Sequence, residues 1–340
     1  MKLIKILPNS SDNNNVFMAC PTYNTPCGVA EYTKLLSYYV GCNVGKDIIP
    51  EDLNKVLDKC IKVFHLQYHS GMGVSQIILS NLSKYLKEKK IRLVITPHSE
   101  EFVGVWSNTA DVIILHNSLN ITKLRNMYRN SIIKVVPHPI LKTIPTTGWA
   151  KTLVRKGSPT VLTTGFLLPH KRVLEIIKCI ELLRNKYPDI LLICANNTSR
   201  DSEISYRYYI ECSNYVRDRN LPVIFFTDFL PYGTINALAN ISDVGILFYK
   251  NCNDFSSGVA NMLMGTGLPL VVSDSAIFKD LPISIVSKCK SIQELSIAIH
   301  NLISNKGTLE GVKSLQINFV NSHSFETLSK KLVEIYNDLI

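Results

Sequence analysis

The sequence contains no uninterrupted apolar run near the roughly 18 residues that a membrane-spanning helix needs, although 46% of it is hydrophobic. None of its nine cysteines forms a C-x-x-C pair, and none stands at zinc-binding spacing from a histidine. An odd number of scattered cysteines points to reduced, mostly buried thiols in a reducing compartment, not to a disulfide framework. An Asp-x-Asp pair that would hold a divalent metal is also missing. Charge is moderate at 19% and no short-period repeat occurs, which sets the chain apart from disordered and solenoid classes. The first twenty residues, "MKLIKILPNSSDNNNVFMAC", are broken by Pro8 and an asparagine run, so no signal peptide is expected there.

At 340 residues the chain is long for one core and suits two domains of about 150–180 residues each. The net charge of +10 is unevenly spread: residues 1–150 hold 17 Lys+Arg against 10 Asp+Glu, the remainder 20 against 17. A basic first half fits an anionic partner, such as a phosphorylated acceptor, a lipid surface or nucleic acid, although lysine-rich surfaces also simply solubilise. The segment "SQIILSNLSKYLKEKK" places Ile78, Leu82, Tyr85 and Leu86 on one helical side and Lys84, Lys87 and Lys90 around the rest. That pattern suits either an ordinary surface helix or peripheral docking on anionic membrane.

Short apolar runs alternate with helical patterns along most of the chain. Residues 15–20, 62–68, 92–97, 111–116 and 132–137 read as buried parallel strands. After the Gly/Pro/Thr-rich stretch "HPILKTIPTTGWAKTLVRKGSP" the pattern restarts, with strands expected over 160–166, 189–196, 222–229, 243–249 and 268–274. Repeated β-α alternation predicts an α/β fold of two doubly wound, Rossmann-like domains, with the break near residues 140–158. Ligands of such sheets sit beyond the carboxyl ends of the strands. The final segment, "SHSFETLSKKLVEIYNDLI", places Ser324 ahead of Phe325, Leu328, Leu332 and Ile335 at helical spacing, the pattern of a capped amphipathic helix.

One stretch stands out, "YKNCNDFSSGVANMLMGTGLPLVVSD" over residues 249–274. It runs from a polar segment through Ser256, Ser257 and Gly258 into an apolar helix. Serine is a favoured cap at any helix start. A helix start preceded by two hydroxyls and a glycine also offers unpaired N–H groups and the positive end of the dipole, which attract an anion.

Taken in order, several stretches resemble the GT-B glycosyltransferases, specifically glycosyltransferase family 4. "CPTYNTPCGVAEYT" looks like the family's N-terminal glycine loop, and "HLQYHSG", "VITPHSE" and "VVPHP" look like later landmarks of its first domain. "GFLLPHKR" resembles the Gly-x5-Lys phosphate loop, "DFSSGVANMLMGTGLPLVVSD" the nucleotide-binding segment, and "SHSFETLSKKLVEIY" the terminal helix. The resemblance spans residues 16–340 and implies two Rossmann-like domains facing a central cleft. It implies an acceptor-binding domain over 1–145, a nucleotide-sugar-binding domain over 146–321, and a terminal helix over 322–340 that crosses back to the first domain.

The same resemblance assigns residues. Gly28, Gly165, Lys171, Ser256, Ser257 and Gly258 would hold the donor diphosphate, with His98, Lys171 and Asp254 as the catalytic set. Glu31, His69 and His138 are weaker candidates for acceptor or sugar contacts; Glu31 equally suits a helix start. The chain departs from the family pattern twice. Phe166, Leu167 and Leu168 stand where a companion basic residue is often found, and the second position of the family's Glu-x7-Glu falls on Met262, which cannot accept ribose hydroxyls as a carboxylate would. A branch with Ser-Ser-Gly and no second glutamate looks similar.

What the resemblance implies is a retaining, metal-independent transfer of a sugar from a nucleotide-diphosphate-sugar, without a further cofactor, to a glycan or lipid-linked acceptor. The expected location is the cytoplasm, with possible peripheral membrane contact. In such retaining transfer the leaving phosphate itself takes the acceptor proton, so positioning and charge stabilisation matter more than a dedicated base. A nucleic acid acceptor, or a GT-B protein that binds nucleotide or glycan without transfer, stand as alternatives; an epimerase of the same architecture matches the ordered motifs poorly.

Overall fold

Every strand among the described residues pairs only with parallel neighbours. The computed structural model describes residues 13–57, 60–99, 109–119, 121–198, 202–252 and 254–340. Residues 1–12, which carry most of the expectation about a signal peptide, and Glu100 of the "VITPHSE" landmark lie outside the described residues. The first sheet holds β1 (Val16–Ala19), β2 (Asn43–Gly45), β3 (Val63–Tyr68), β4 (Arg92–Pro97), β5 (Val112–Leu115) and β6 (Ile132–Val135) in the order β2-β1-β3-β4-β5-β6. The second holds β7 (Thr160–Phe166), β8 (Leu191–Asn197), β9 (Val223–Phe225), β10 (Val244–Leu247), β11 (Leu270–Ser273) and β12 (Val286–Cys289) in the order β12-β11-β10-β7-β8-β9. All ten strands expected from the sequence form. The two that were not expected, β2 ("NVG") and β12 ("VSKC"), are short edge strands without a continuous apolar run.

The chain divides into two units. The first runs to Pro139 and also takes residues 254–258 and His323–Ile340; the second comprises Ile140–Cys252 and Val259–Ser322. Residues 254–258, expected within the second domain, therefore group with the first.

In the first unit the strands are connected by α1 (Gly28–Val40), α2 (Pro50–Val56), α3 (Gln76–Glu88) and α4 (Ile121–Met127). Leu79, Leu82 and Leu86 of α3 enter the core beside Phe64 and Leu66, and Ile78 and Tyr85 pack against the same cluster. The apolar side of this helix is thus spent on the core, while Lys84, Lys87, Lys89 and Lys90 are exposed.

The second unit contains α5 (Val173–Arg184), α6 (Glu203–Asp218), α7 (Tyr232–Asn240), all but the first residue of α8 (Gly258–Gly265), α9 (Ile292–Ser304) and α10 (Lys306–Ser322). Its sheet is buried on both faces. Alternate residues of β8 go to opposite cores, Ile193 and Ala195 to one and Leu192 and Cys194 to the other. Both sides of each strand must therefore be apolar, which is why these strands read as continuous hydrophobic runs.

The last helix, α11 (Phe325–Asn337), lies in the first unit and contacts α1. The Thr327 amide donates to the Ser324 hydroxyl at 3.2 Å, closing the N-cap. Phe325, Leu328, Leu332, Ile335 and Tyr336 are buried. No helix among the described residues is long and apolar enough to cross a membrane. None of the nine cysteines is joined in a disulfide, and six are buried.

Two features make testable demands on stability. At Gly265, which ends α8, a Cβ would lie 2.1 Å from the backbone oxygen of Leu141, and the Gly265 carbonyl accepts from the Thr143 amide at 3.0 Å. Gly265→Ala must therefore displace backbone, and we expect it to cost about 1–3 kcal/mol, read as a lower urea midpoint; an unchanged midpoint would show that the close approach is absent. The first unit also buries histidines. Burial holds His65 down at about 3 and His116 at about 4, and lowers His138 as well. Unfolded imidazole titrates near 6.5, so the stabilisation is fully present above that pH and is lost as pH falls towards about 4 and 3. Each such histidine contributes a slope of about 1.4 kcal/mol per pH unit within its window. Urea midpoints should fall steadily as pH drops below about 6.5, the ordinary imidazole value, and His116→Gln should show a shallower slope; parallel slopes would contradict the buried neutral ring.

Candidate functional site

In the second sheet the chain lays down β7, β8 and β9 in one direction, then β10, β11 and β12 in the other. The order reverses between β7 and β10, so the loops leaving their carboxyl ends diverge there, which is where ligands of doubly wound sheets bind. Gly165 closes β7 with φ +123, a conformation that L side chains rarely adopt. A Cβ at this position would sit 3.5 Å from Val259 Cγ2, in the first turn of α8, and 3.9 Å from the Tyr249 hydroxyl, just past β10. The two loops are tied together where the Lys250 amide donates to the His170 carbonyl at 2.8 Å.

Lys171 lies on this rim, half-buried, with Nζ 3.7 Å from the centroid of the Tyr249 ring. Such a contact contributes about 0.5–2 kcal/mol and holds the ammonium on one side of the loop. Among the described residues no carboxylate pairs with it. Arg172, the next residue, does not supply the missing companion charge. Its Nε donates to Glu175 Oε1 at 3.0 Å and its guanidinium lies 4.3 Å over the Phe248 ring. Met262, the position of the absent second glutamate, is partly buried against the apolar core of this unit. The second unit thus brings together Gly165, Lys171 and the first turn of α8 around Tyr249, a residue that carried no site expectation from the sequence.

In the first sheet the order reverses between β1 and β3. The loop after β1 leads to Gly28 at the start of α1, where a Cβ would meet nothing within 4 Å, so no close approach within the chain calls for glycine there. Glu31 is exposed in the first turn of α1, a favourable place for a negative charge. One residue on, Tyr32 is buried, and its ring centroid lies 5.0 Å from His98, 5.5 Å from His116 and 4.8 Å from His138. The loop after β3 carries His69. The Gly71 amide donates to His69 Nδ1 at 2.9 Å, so the proton is on Nε2, which donates to Asp254 Oδ1 at 3.3 Å.

Residues 254–258 are stitched to these strand ends. Asp254 bridges to Ser99, the Phe255 amide donates to the His98 carbonyl at 3.3 Å, and the Asn117 side chain donates to the Phe255 carbonyl. His138 donates from Nδ1 to the Pro139 carbonyl at 2.8 Å, leaving Nε2 as an acceptor 3.6 Å from where a Gly258 Cβ would sit. Ser257 is buried and Ser256 partly so, immediately before α8. Five of the expected residues, His69, His98, His138, Asp254 and Gly258, therefore meet in the first unit.

His98 is held neutral. Burial lowers its pKa well below the ordinary imidazole value, and neighbouring His116, His138, His69 and His65 push in the same direction. A cluster of neutral rings offers hydrogen-bond donors and acceptors without charge, which suits hydroxyl groups better than phosphate. His116 and Tyr32 were missed in the sequence. His116 ends the expected strand 111–116 and Tyr32 sits inside an amphipathic helix pattern, so both read as core; their juxtaposition is a tertiary fact. Among the described residues no group of three His, Cys, Asp or Glu side chains is arranged to hold a metal ion.

No family model matches the sequence, and no curated protein matches it. Solved structures do. HepE from Anabaena, solved in complex with UDP, is 14% identical and aligns with a TM-score of 0.74 over 95% of this chain and 100% of its own. Sucrose-phosphate synthase from Thermosynechococcus elongatus is 12% identical, with a TM-score of 0.73 over 96% and 99% of the two chains. A glycosyltransferase from Rickettsia africae gives 12% identity and a TM-score of 0.72 over 96% and 99%. At these identities the shared property is the fold: this chain has the GT-B glycosyltransferase fold, two α/β units each built on a six-stranded parallel sheet.

Proposed function

We propose that the protein is a retaining glycosyltransferase that takes a sugar from a nucleoside-diphosphate-sugar and passes it to a glycan or lipid-linked acceptor. The observation that carries this is Lys171, an ammonium that pairs with no carboxylate among the described residues, set over Tyr249 at the strand-order reversal where Gly165 faces the first turn of α8. A diphosphate leaving group gains negative charge as the sugar–oxygen bond breaks, and groups aimed at that charge lower the barrier. Lys171 supplies a full positive charge. The α8 start, entered through Ser256, Ser257 and Gly258, supplies amide donors and a dipole worth about 1–2 kcal/mol, too little without the lysine.

His98, neutral and donating or accepting one hydrogen bond, takes a sugar hydroxyl. Asp254, oriented by His69, accepts from another. His138 Nε2, an acceptor at the α8 start, serves the same hydroxyl-bearing ligand. Gly28 lets the loop after β1 approach the donor, and Glu31 accepts from the acceptor. The acceptor proton goes to the departing phosphate oxygen, which is why no carboxylate base is assigned. HepE was solved with UDP, so UDP-sugars are the first donors to test. The core-facing Met262 makes a ribose contact other than a carboxylate necessary.

The test is a thermal-shift screen against nucleotide-sugars, followed by mass spectrometry of released nucleotide with acceptor mixtures. A stabilising donor that is also turned over supports transfer; stabilisation without release in any acceptor mixture would make the protein a binder instead. With the productive donor, Lys171→Ala should lower kcat/KM at least tenfold, about 1.4 kcal/mol, while its melting temperature stays near that of the parent. Unchanged kinetics would remove Lys171 from the site.

A further inference from the structure

Beneath His98 runs a chain of buried side chains that begins on the last helix. In α11 the Tyr336 hydroxyl lies 2.5 Å from His65 Nδ1, with Tyr336 1% exposed and His65 fully buried. His65 Nε2 receives two neighbours, the Thr96 hydroxyl at 2.7 Å and the Gln67 amide nitrogen at 3.1 Å. The carbonyl oxygen of the same Gln67 amide faces His98 Nε2 at 2.9 Å. The four residues His65, Gln67, Thr96 and His98 sit on β3 and β4 or directly after β4, where register places His65 opposite Val94 and Gln67 opposite Thr96.

With the Gln67 amide oriented as it stands, its nitrogen towards His65 and its oxygen towards His98, these contacts admit one set of protons. The Gln67 nitrogen can only donate, so His65 Nε2 is an acceptor. Neutral His65 then carries its proton on Nδ1 and donates it to the Tyr336 oxygen, while the single lone pair on Nε2 is shared by the Gln67 N–H and the Thr96 hydroxyl. The Gln67 oxygen can only accept, so His98 carries its proton on Nε2. Burial keeps both rings neutral, and in a neutral imidazole one nitrogen donates and the other accepts. His98 is thereby left with a lone pair on Nδ1.

We infer that Tyr336, acting through His65 and Gln67, is a positioning residue that fixes His98 in its Nε2–H form, so that His98 Nδ1 accepts a hydrogen bond from a substrate hydroxyl and does not donate one. The role given to the substrate hydroxyl rests on the glycosyl-transfer reading; the proton arrangement does not. The chain makes the last helix part of the site's chemistry as well as of its packing. Removing the Tyr336 oxygen strands the His65 Nδ1 proton in a buried site, which is costly. The relief is for His65 to move its proton to Nε2, for the Gln67 amide to turn over, and for His98 to move its proton to Nδ1.

The experiment is long-range proton–nitrogen NMR on protein labelled with nitrogen-15 histidine, which reports the tautomer of each ring. His98 is assigned by the loss of its signals in His98→Asn. The parent should show His98 as Nε2–H, and Tyr336→Phe should convert it to Nδ1–H. Adding Gln67→Glu to Tyr336→Phe gives His98 an acceptor that cannot turn into a donor while ionised, and should restore Nε2–H. An Nδ1–H form in the parent, or an unchanged His98 in a folded Tyr336→Phe, overturns the inference. If Tyr336→Phe does not fold, Gln67→Met cuts the chain at its centre, and an undisturbed Nε2–H form of His98 in that variant overturns it equally. Activity separates the two levels. Where a productive donor exists, Tyr336→Phe should lower kcat about tenfold and the double variant should recover it. A tautomer switch in a protein that transfers no sugar would uphold the proton chain and sink the transferase reading.

Discussion

A parallel sheet forces every connection to return from one end of the strands to the other, so all the loops that leave carboxyl ends gather along one edge. The site candidates of this protein follow from that constraint. Where strand order reverses, two neighbouring loops run apart and leave room that side chains of the sheet do not fill. In the second unit that reversal separates β7 from β10 and sets Gly165, Lys171 and Tyr249 around it. In the first unit it separates β1 from β3 and puts His69 and the start of α1 on the rim, with Tyr32 against the rings of His98, His116 and His138. The chemistry differs between the two because the residues at the rims differ: a cation and helix amides in one, neutral imidazoles in the other.

That division of labour is physically sensible. A diphosphate requires charge and amide donors, whereas a sugar requires a pattern of neutral donors and acceptors. Burial is what makes the imidazoles of His98, His116 and His138 neutral, and a ring is useful for recognition only if its proton is on a defined nitrogen. The hydrogen bonds from Gly71 to His69, from His138 to Pro139 and from His98 to Gln67 each assign that proton. The cost is a first unit whose stability depends on pH through the same residues.

Much of the fold was legible in the sequence because burial on both faces leaves a continuous apolar run in each central strand. The edge strands β2 and β12 escaped, since an edge strand needs fewer apolar residues and "NVG" and "VSKC" carry no such run. Gly165 and Lys171 in the second unit, and the Ser-Ser-Gly entry to α8 in the first, were visible as local patterns. Tyr249 was not, because its position over Lys171 depends on two loops 78 residues apart in sequence. The grouping of residues 254–258 with the first unit was equally hidden, since it arises from hydrogen bonds to Ser99, His98 and Asn117. His65 read as flanking the core, and only its contacts with Tyr336 and Gln67 give it another role. The apolar side of α3 suited a lipid surface as well as a core until Leu79, Leu82 and Leu86 were seen to fill the latter.

The central claim is that the Gly165–Lys171 loop and the start of α8 hold a diphosphate. A crystal structure of the protein grown with saturating UDP tests it most directly. The account predicts phosphate oxygens within hydrogen-bonding distance of Lys171 Nζ and of amides in the first turn of α8. Diphosphate density elsewhere on the protein, with Lys171 still resting on Tyr249, would contradict it.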